Sequence, residues 1–275
     1  MTAFQCSDIK LVVFDIDGTL LNSNHQLDPY TLKVLTDLQS RGILVTLSTG
    51  KTLPAVQELA HILGIQVPLI MANGSVLQYA SGEMFHCSLF KKELACSILE
   101  ELQKLPGDIG VFTASDIYIT AKDTENIQMM MKFGKPVPLL VNSWEEISKE
   151  LTNVVKIVEM DIEHIDRLKE SEDHLQSVFG NNISTIKALF FANEILPQGV
   201  TKGSALKYLA DKLGIHSAQI MAFGDGDNDA SMLDYAGSAI AVSNATDLCK
   251  ASADLIVGSN DENSPARFLD GLFRN

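Results

Sequence analysis

Ile9-Lys10-Leu11-Val12-Val13-Phe14-Asp15-Ile16-Asp17-Gly18-Thr19 decides the reading of this chain. The nearly unbroken apolar run up to Phe14 has the pattern of a strand buried on both faces, as in a parallel sheet. Two carboxylates follow, one at the strand's last residue and one in the turn beyond it. Their mutual repulsion and partial desolvation become tolerable when a cation shares the site. One carboxylate can then act as a nucleophile while the other carries a proton. Gly18 allows a sharp turn, and Thr19 adds a hydroxyl and an amide suited to an anion. Taken by itself the segment also fits a strand ending in an ordinary acidic turn, because Asp and Gly are common turn residues.

Outward from this strand, residues 1–84 alternate between strand and helix patterns. Asp28-Pro29 reads as an N-cap followed by proline at the first helical position. Val34, Leu35 and Leu38 give that helix an apolar face, and Gly42 ends it. Ile43–Leu47 and Val67–Met71 read as strands, with a helix opened by Thr52-Leu53-Pro54 between them. The same grammar returns near the end: a helix from Lys202 to Leu213, then strands at Gln219–Phe223, Ser238–Val242 and Asp254–Val257. This alternation predicts right-handed crossovers and a parallel sheet. Between the two stretches, strand candidates cluster at Ile109–Thr113, Ile117–Thr120, Val154–Met160 and Ile183–Phe191. Helical stretches start near Glu93, Asp123, Ser143 and Ile162. Adjacent strands without an intervening helix imply antiparallel pairing. The expected organisation is a Rossmann-like α/β core from residues 1–84 and 194–275, with residues 85–193 inserted as an α+β unit. One continuous doubly wound sheet is the alternative.

The composition is that of a globular protein, with 46% hydrophobic and 20% charged residues in 275. A net charge of −14 argues against nucleic acid or an anionic membrane as partner. Cys6, Cys87, Cys96 and Cys249 form no Cys-x-x-Cys pair, so reduced structural thiols and a cytoplasmic location are expected. No apolar stretch approaches the ~18 residues of a membrane helix, and Met1–Ser7 does not read as a signal peptide.

Ligands of open parallel sheets bind beyond the carboxyl ends of the strands. Four polar clusters fall there: Asp15/Asp17, Thr49-Gly50, Asn73-Gly74 and Asp225-Gly226-Asp227-Asn228-Asp229. Lys202 opens the helix that precedes the last of them. Carboxylates, a hydroxyl and an ammonium around one crevice suit phosphoryl transfer with a hard cation such as Mg²⁺. Metal, lysine and backbone amides would let an acidic chain meet an anionic substrate.

With Asp-Ile-Asp-Gly-Thr-Leu at 15–20, Ser-Thr-Gly at 48–50, Gly-Val-Thr-Lys-Gly at 199–203 and Gly-Asp-Gly-Asp-Asn-Asp at 224–229, the chain resembles the haloacid dehalogenase (HAD) superfamily of phosphohydrolases. It is most similar to the Cof-like subgroup, over essentially the whole length. The resemblance implies that Asp15 attacks phosphorus and becomes an aspartyl-phosphate, while Asp17 protonates the leaving oxygen and later activates water. It implies Mg²⁺ held by Asp15, Asp17 through its backbone carbonyl, and Asp225, with Asp229 nearby. It also implies that Ile16, Thr49, Gly50, Lys202 and Asn228 hold the phosphate, and that the insert is a cap that selects the substrate. Asp17 favours phosphate esters over haloacids, since a departing halide needs no proton. The expected function is a Mg²⁺-dependent phosphatase of a small phosphorylated metabolite, with sugar phosphates foremost. A phosphomutase and a phospho-accepting signalling module are the alternatives.

Two positions depart from the family pattern. Lys51 stands where arginine usually follows Thr-Gly, so a bidentate contact there is in question. Asp261-Glu262-Asn263-Ser264-Pro265 lacks the usual glycine-rich pattern. Among the six histidines none has metal-ligand spacing, although His25 lies close enough to the first motif to line the entrance. Asn73-Gly74 fits a turn or a site lining equally. Met129-Met130-Met131 fits core packing or a soft cap surface. Lys122, Lys132, Lys156 and Lys187 are the cations of the insert, unranked by any pattern.

Overall fold

The computed structural model describes residues 8–121, 123–133, 137–147 and 149–274, so Cys6, Met1–Ser7 and Lys122 lie outside the described residues. The chain begins β1 (Leu11–Phe14), α1 (Pro29–Ser40), β2 (Leu44–Leu47), α2 (Leu53–Ile62) and β3 (Leu69–Met71). Each starts within two residues of its expected position. Helix α1 is capped as its sequence predicts: Asp28 Oδ1 accepts from the Tyr30 N–H at 2.7 Å, and Val34, Leu35 and Leu38 are buried. The middle contains β4 (Val76–Gln78), β5 (Met84–Cys87), α3 (Lys92–Leu102), β6 (Asp108–Phe112), β7 (Ile117–Ile119), α4 (Glu125–Phe133) and β8 (Leu139–Leu140). It continues with β9 (Lys156–Met160), α5 (Ile165–Phe179), β10 (Ile183–Leu189) and β11 (Ala192–Pro197). The chain closes with α6 (Lys202–Leu213), β12 (Ile220–Gly224), α7 (Ala230–Tyr235), β13 (Ser238–Ala241), α8 (Asp247–Ala251), β14 (Leu255–Ile256) and α9 (Ser264–Phe273).

The core sheet runs β14-β13-β12-β1-β2 with every pair parallel. Strand β1 is central, and its side chains divide between two layers. Leu11 and Val13 join Leu206 and Leu209 of α6, while Val12 and Phe14 join Leu35 of α1. That two-sided burial is why the strand reads as an unbroken apolar run. A second sheet, β10-β11-β9-β6-β7-β8, is antiparallel apart from β7–β8. A small antiparallel sheet, β3-β4-β5, joins the two regions.

The structure redraws three details of the sequence reading. The expected strand at residues 183–191 is present as β10, ending at Leu189, but it is the outgoing arm of a hairpin that turns at Phe190-Phe191 and returns as β11, a strand the sequence reading lacks. The expected divisions after residues 84 and 193 fall inside β5 and β11, because both strands are held by partners on either side of those positions. The stretch from Ser143 forms a single tight turn, Trp144–Ile147, rather than a full helix. Among the described residues no helix is long and apolar enough to cross a membrane.

Glu159 tests the packing of the second sheet. It sits on β9 facing α5, where Oε2 accepts from Ser171 Oγ at 2.6 Å and Asn193 Nδ2 at 3.3 Å. Burial pushes its pKa up, more than these hydrogen bonds pull it down. A carboxyl with a raised folded-state pKa contributes stability below its unfolded pKa and loses it as pH rises through the folded value. At neutral pH the charge is therefore a cost. Glu159→Gln, which keeps an acceptor in place, is expected to raise the melting temperature at pH 8 by a few degrees. The gap should narrow as pH falls toward 5; thermal melts at both pH values check it.

Candidate active site

Asp15 ends the central strand and projects from the carboxyl edge of the sheet, its N–H bonded to the Phe223 carbonyl at 2.9 Å. The turn after it requires glycine. Gly18 has φ +81°, and a Cβ there would stand 2.4 Å from Asp225 Oδ2. Thr19 Oγ1 donates to Asp225 Oδ1 at 2.7 Å, joining the first and last motifs. Asp229 Oδ2 accepts from the Asp225 and Gly226 N–H groups at 3.0 and 2.9 Å, which folds the last loop back on itself.

Lys202 opens α6 directly beneath these carboxylates. Its Nζ donates to Asp15 Oδ1 and Asp229 Oδ1, both at 2.6 Å, and the side chain is fully buried. It can sit so deep because α6 presses against α7: a Cβ on Gly203 would lie 2.1 Å from the Ser231 carbonyl oxygen. Burial pulls the ammonium down, but Asp15 and Asp229 more than reverse this and hold its pKa above the ordinary lysine value. Burial pushes Asp15 up, with Lys202 opposing and Asp229 and Asp225 adding to the rise. Asp225 is pushed up to about 6, first by burial and then by Asp229.

Asp15, Asp225 and Asp229 each offer an oxygen within 4.8 Å of the others. Three carboxylates against one ammonium leave the cluster with excess negative charge, and the donors are all hard oxygens. That set fits a small divalent cation such as Mg²⁺.

Above the cluster lies a cavity of about 270 Å³, lined on the core side by Asp15, Asp17, Thr49, Gly50, Asn228 and their neighbours. Seven of the expected site residues thus meet at one place: these five with Asp225 and Asp229. Two stand apart. Lys202 lies under the floor rather than in the lining, and Ile16 is buried with its carbonyl accepting from the Leu20 and Leu21 N–H groups at 3.1 and 2.9 Å. Asn73 is a linker of loops: in the left-handed conformation, φ 54°, it donates to Glu194 Oε2 at 2.6 Å and accepts from Asn228 Nδ2 at 2.9 Å. Asp227 is exposed on the turn.

At the mouth, Asp17 is gripped from two sides. Lys51 Nζ contacts its two carboxylate oxygens at 2.8 and 2.7 Å, and His25 Nδ1 lies 3.1 Å from Oδ1. A single ammonium therefore spans the carboxylate where an arginine fork was the usual expectation. Sequence reasoning missed Glu194 and left Lys156 unranked. The two pair at 2.7 Å, nearly fully buried, and Lys156 Nζ also donates to the Gly50 carbonyl at 2.9 Å. The available signal was charge inside each of two largely apolar strands, Lys156 in β9 and Glu194 in β11, as a buried ion pair requires. Lys187 is exposed, and Lys132 lines a different groove beside His25.

Residues 12–269 match the family model of the haloacid dehalogenase-like hydrolases. The chain belongs to this family. The phosphatase YwpJ of Bacillus subtilis is 29% identical over 96% of this chain and 100% of the relative. From the same organism, the 5-amino-6-(5-phospho-D-ribitylamino)uracil phosphatase YwtE is 29% identical over 96% and 98%. A solved haloacid dehalogenase-like hydrolase from B. subtilis superposes with a TM-score of 0.87 at 28% identity, covering 96% of this chain and 100% of that one. The parallel-sheet HAD core with added antiparallel sheets is thus the fold of the family, and the chain is a Cof-like phosphohydrolase of it.

Proposed function

We propose that this HAD hydrolase is a Mg²⁺-dependent phosphoric monoester hydrolase that acts on a small phosphorylated metabolite through an aspartyl-phosphate at Asp15. One observation carries the reading: Asp15, 7% exposed, stands at the floor of the cavity with Asp225, Asp229 and Lys202 around it and Asp17 across the opening. An Asp15 oxygen attacks phosphorus; its bond to phosphorus forms as the ester P–O bond breaks, and the leaving alkoxide takes a proton from Asp17. Asp17 then accepts a proton from the water that attacks the aspartyl-phosphate. The bond to Asp15 breaks, the carboxylate returns and inorganic phosphate leaves.

Lys51 and His25 hold Asp17 at the opening, where the leaving oxygen must sit. Ile16, Thr49, Gly50 and Asn228 are assigned to the phosphate, and Lys202 balances the charge from beneath. Asp15, Asp17 through its carbonyl, Asp225 and Asp229 are the residues that would hold Mg²⁺. When bound, the ion offsets the repulsion between the phosphate dianion and the carboxylates. The region from β5 to β11 is read as a cap over this site, and the cytoplasmic location expected from the sequence belongs to the same reading. Sugar phosphates were the class expected first; the choice among alcohols falls to the upper wall of the cavity.

Asp17→Asn tests the proton's path. Its phosphate release from an unactivated alkyl ester is expected to fall roughly 10²–10⁴-fold. Loss on p-nitrophenyl phosphate, whose leaving group barely needs an acid, should be much smaller, and wild-type release on both should stop in EDTA. Equal losses on the two esters would remove Asp17 as the proton donor. A substrate that is consumed without net phosphate release would point to a mutase.

A further inference from the structure

The upper wall of the cavity is one face of the second sheet. Along β9, Lys156, Val158 and Met160 line the cavity while Ile157 and Glu159 turn to the other face. Phe112 on β6 pairs across from Lys156, and Glu194 on β11 across from Val158. Met130 of α4 and Leu189 complete the apolar surface. Among the described residues, Lys156 and Glu194 are the only polar side chains this region contributes to the cavity.

Both are already engaged. Lys156 Nζ holds Glu194 Oε1 at 2.7 Å and the Gly50 carbonyl at 2.9 Å, and lies 4.6 Å from the Phe112 ring centre. Glu194 Oε2 is taken by Asn73 at 2.6 Å. The two charges spend most of their hydrogen bonds latching the wall to the core loops. A polyhydroxylated skeleton above the phosphate would therefore set most of its hydroxyls against methionine, valine and phenylalanine, with few partners offered from this wall. An apolar pocket rejects one added hydroxyl by up to roughly a hundredfold, and a hexose carries several.

We infer that the preferred substrate is a phosphate monoester of an apolar alcohol, aromatic or alkyl, rather than a sugar phosphate. The inference rests on the phosphatase reading and names its substrate class. The cavity, about 270 Å³, stands just under the usual range for ligand pockets, roughly 300–1,000 Å³. That leaves room beside the phosphate for a single ring or a short chain, not a nucleotide or a long acyl chain. The reaction is ester plus water giving alcohol plus inorganic phosphate, with no further reactant.

The test compares kcat/KM for benzyl phosphate, hexyl phosphate and glucose 6-phosphate. All three release a primary alkoxide, so the demand on Asp17 is similar and the ratio reports the wall. Acetyl phosphate, small and activated, reports the phosphatase itself. At least one apolar ester is expected to exceed glucose 6-phosphate by tenfold or more; the benzyl and hexyl arms then distinguish ring from chain. Parity or a preference for the sugar overturns the inference, as does turnover of acetyl phosphate with neither apolar ester accepted. No turnover even of acetyl phosphate overturns the phosphatase reading along with it. Val158→Thr places a hydroxyl in the wall at nearly constant volume, and Met130→Gln places an amide at a half-buried helix position. In whichever variant retains the wild-type fold, the apolar-to-sugar ratio should fall severalfold; an unchanged ratio in both contradicts the assignment of the wall.

Discussion

Asp15→Asn is expected to fold normally and to lose phosphate release by more than about a thousandfold, because an amide is a poor nucleophile. The fold should survive because the change removes one of three crowded carboxylates. Lys202 keeps its 2.6 Å bond to Asp229, so no buried charge is orphaned. Burial and the neighbouring carboxylates already disfavour the ionised form of Asp15, so its neutral replacement relieves part of that crowding. The expected pair of results is an unchanged or slightly higher melting temperature together with near-complete loss of turnover. Inactivity with an unfolded protein would show instead that Asp15 is a structural partner of Lys202.

Lys156→Met has the largest expected effect on stability. Lys156 and Glu194 are 3% and 7% exposed at the side chain, and their pairing ties two strands of the second sheet to each other and to the Gly50 and Asn73 loops. Removing the ammonium leaves Glu194 charged and buried with only the Asn73 amide, a situation that typically costs roughly 3–5 kcal/mol. The double change Lys156→Met with Glu194→Gln removes both charges and should recover much of that loss. Chemical unfolding of the three proteins checks it. A single variant as stable as wild type would mean that the pair contributes nothing, and a double variant no better than the single would place the loss in packing.

The core was legible because its physics is local. Strand β1 is apolar on both faces, Asp28-Pro29 marks the start of α1, and the polar clusters stand at strand ends where a parallel sheet collects its ligands. The hairpin of β10 and β11 was not legible, because Phe190-Phe191 turns the chain without glycine, proline or asparagine, in the middle of the short apolar run Ala188–Ala192. Strands β4 and β5 were too short for periodicity to register. Within the site, the motifs brought seven expected residues to one cavity, yet two relations lay beyond their reach. Lys202 points into the floor because Gly203 lets α6 approach α7, a fact of packing. Lys156 and Glu194 are 38 positions apart in sequence, and their pairing depends on the register of β9 against β11. Lys51 shows the same limit from another side: its chemistry differs from arginine, but its reach to both oxygens of Asp17 emerges only from the folded loop.

The most direct test is to stop the enzyme with acid during turnover of acetyl phosphate in Mg²⁺ and map the phosphoryl group by mass spectrometry. The aspartyl-phosphate mechanism predicts modification of the peptide carrying Asp15, absent in Asp15→Asn and in EDTA. Sustained phosphate release with Asp15 unmodified throughout, or a phosphoryl group trapped on another residue, would contradict it.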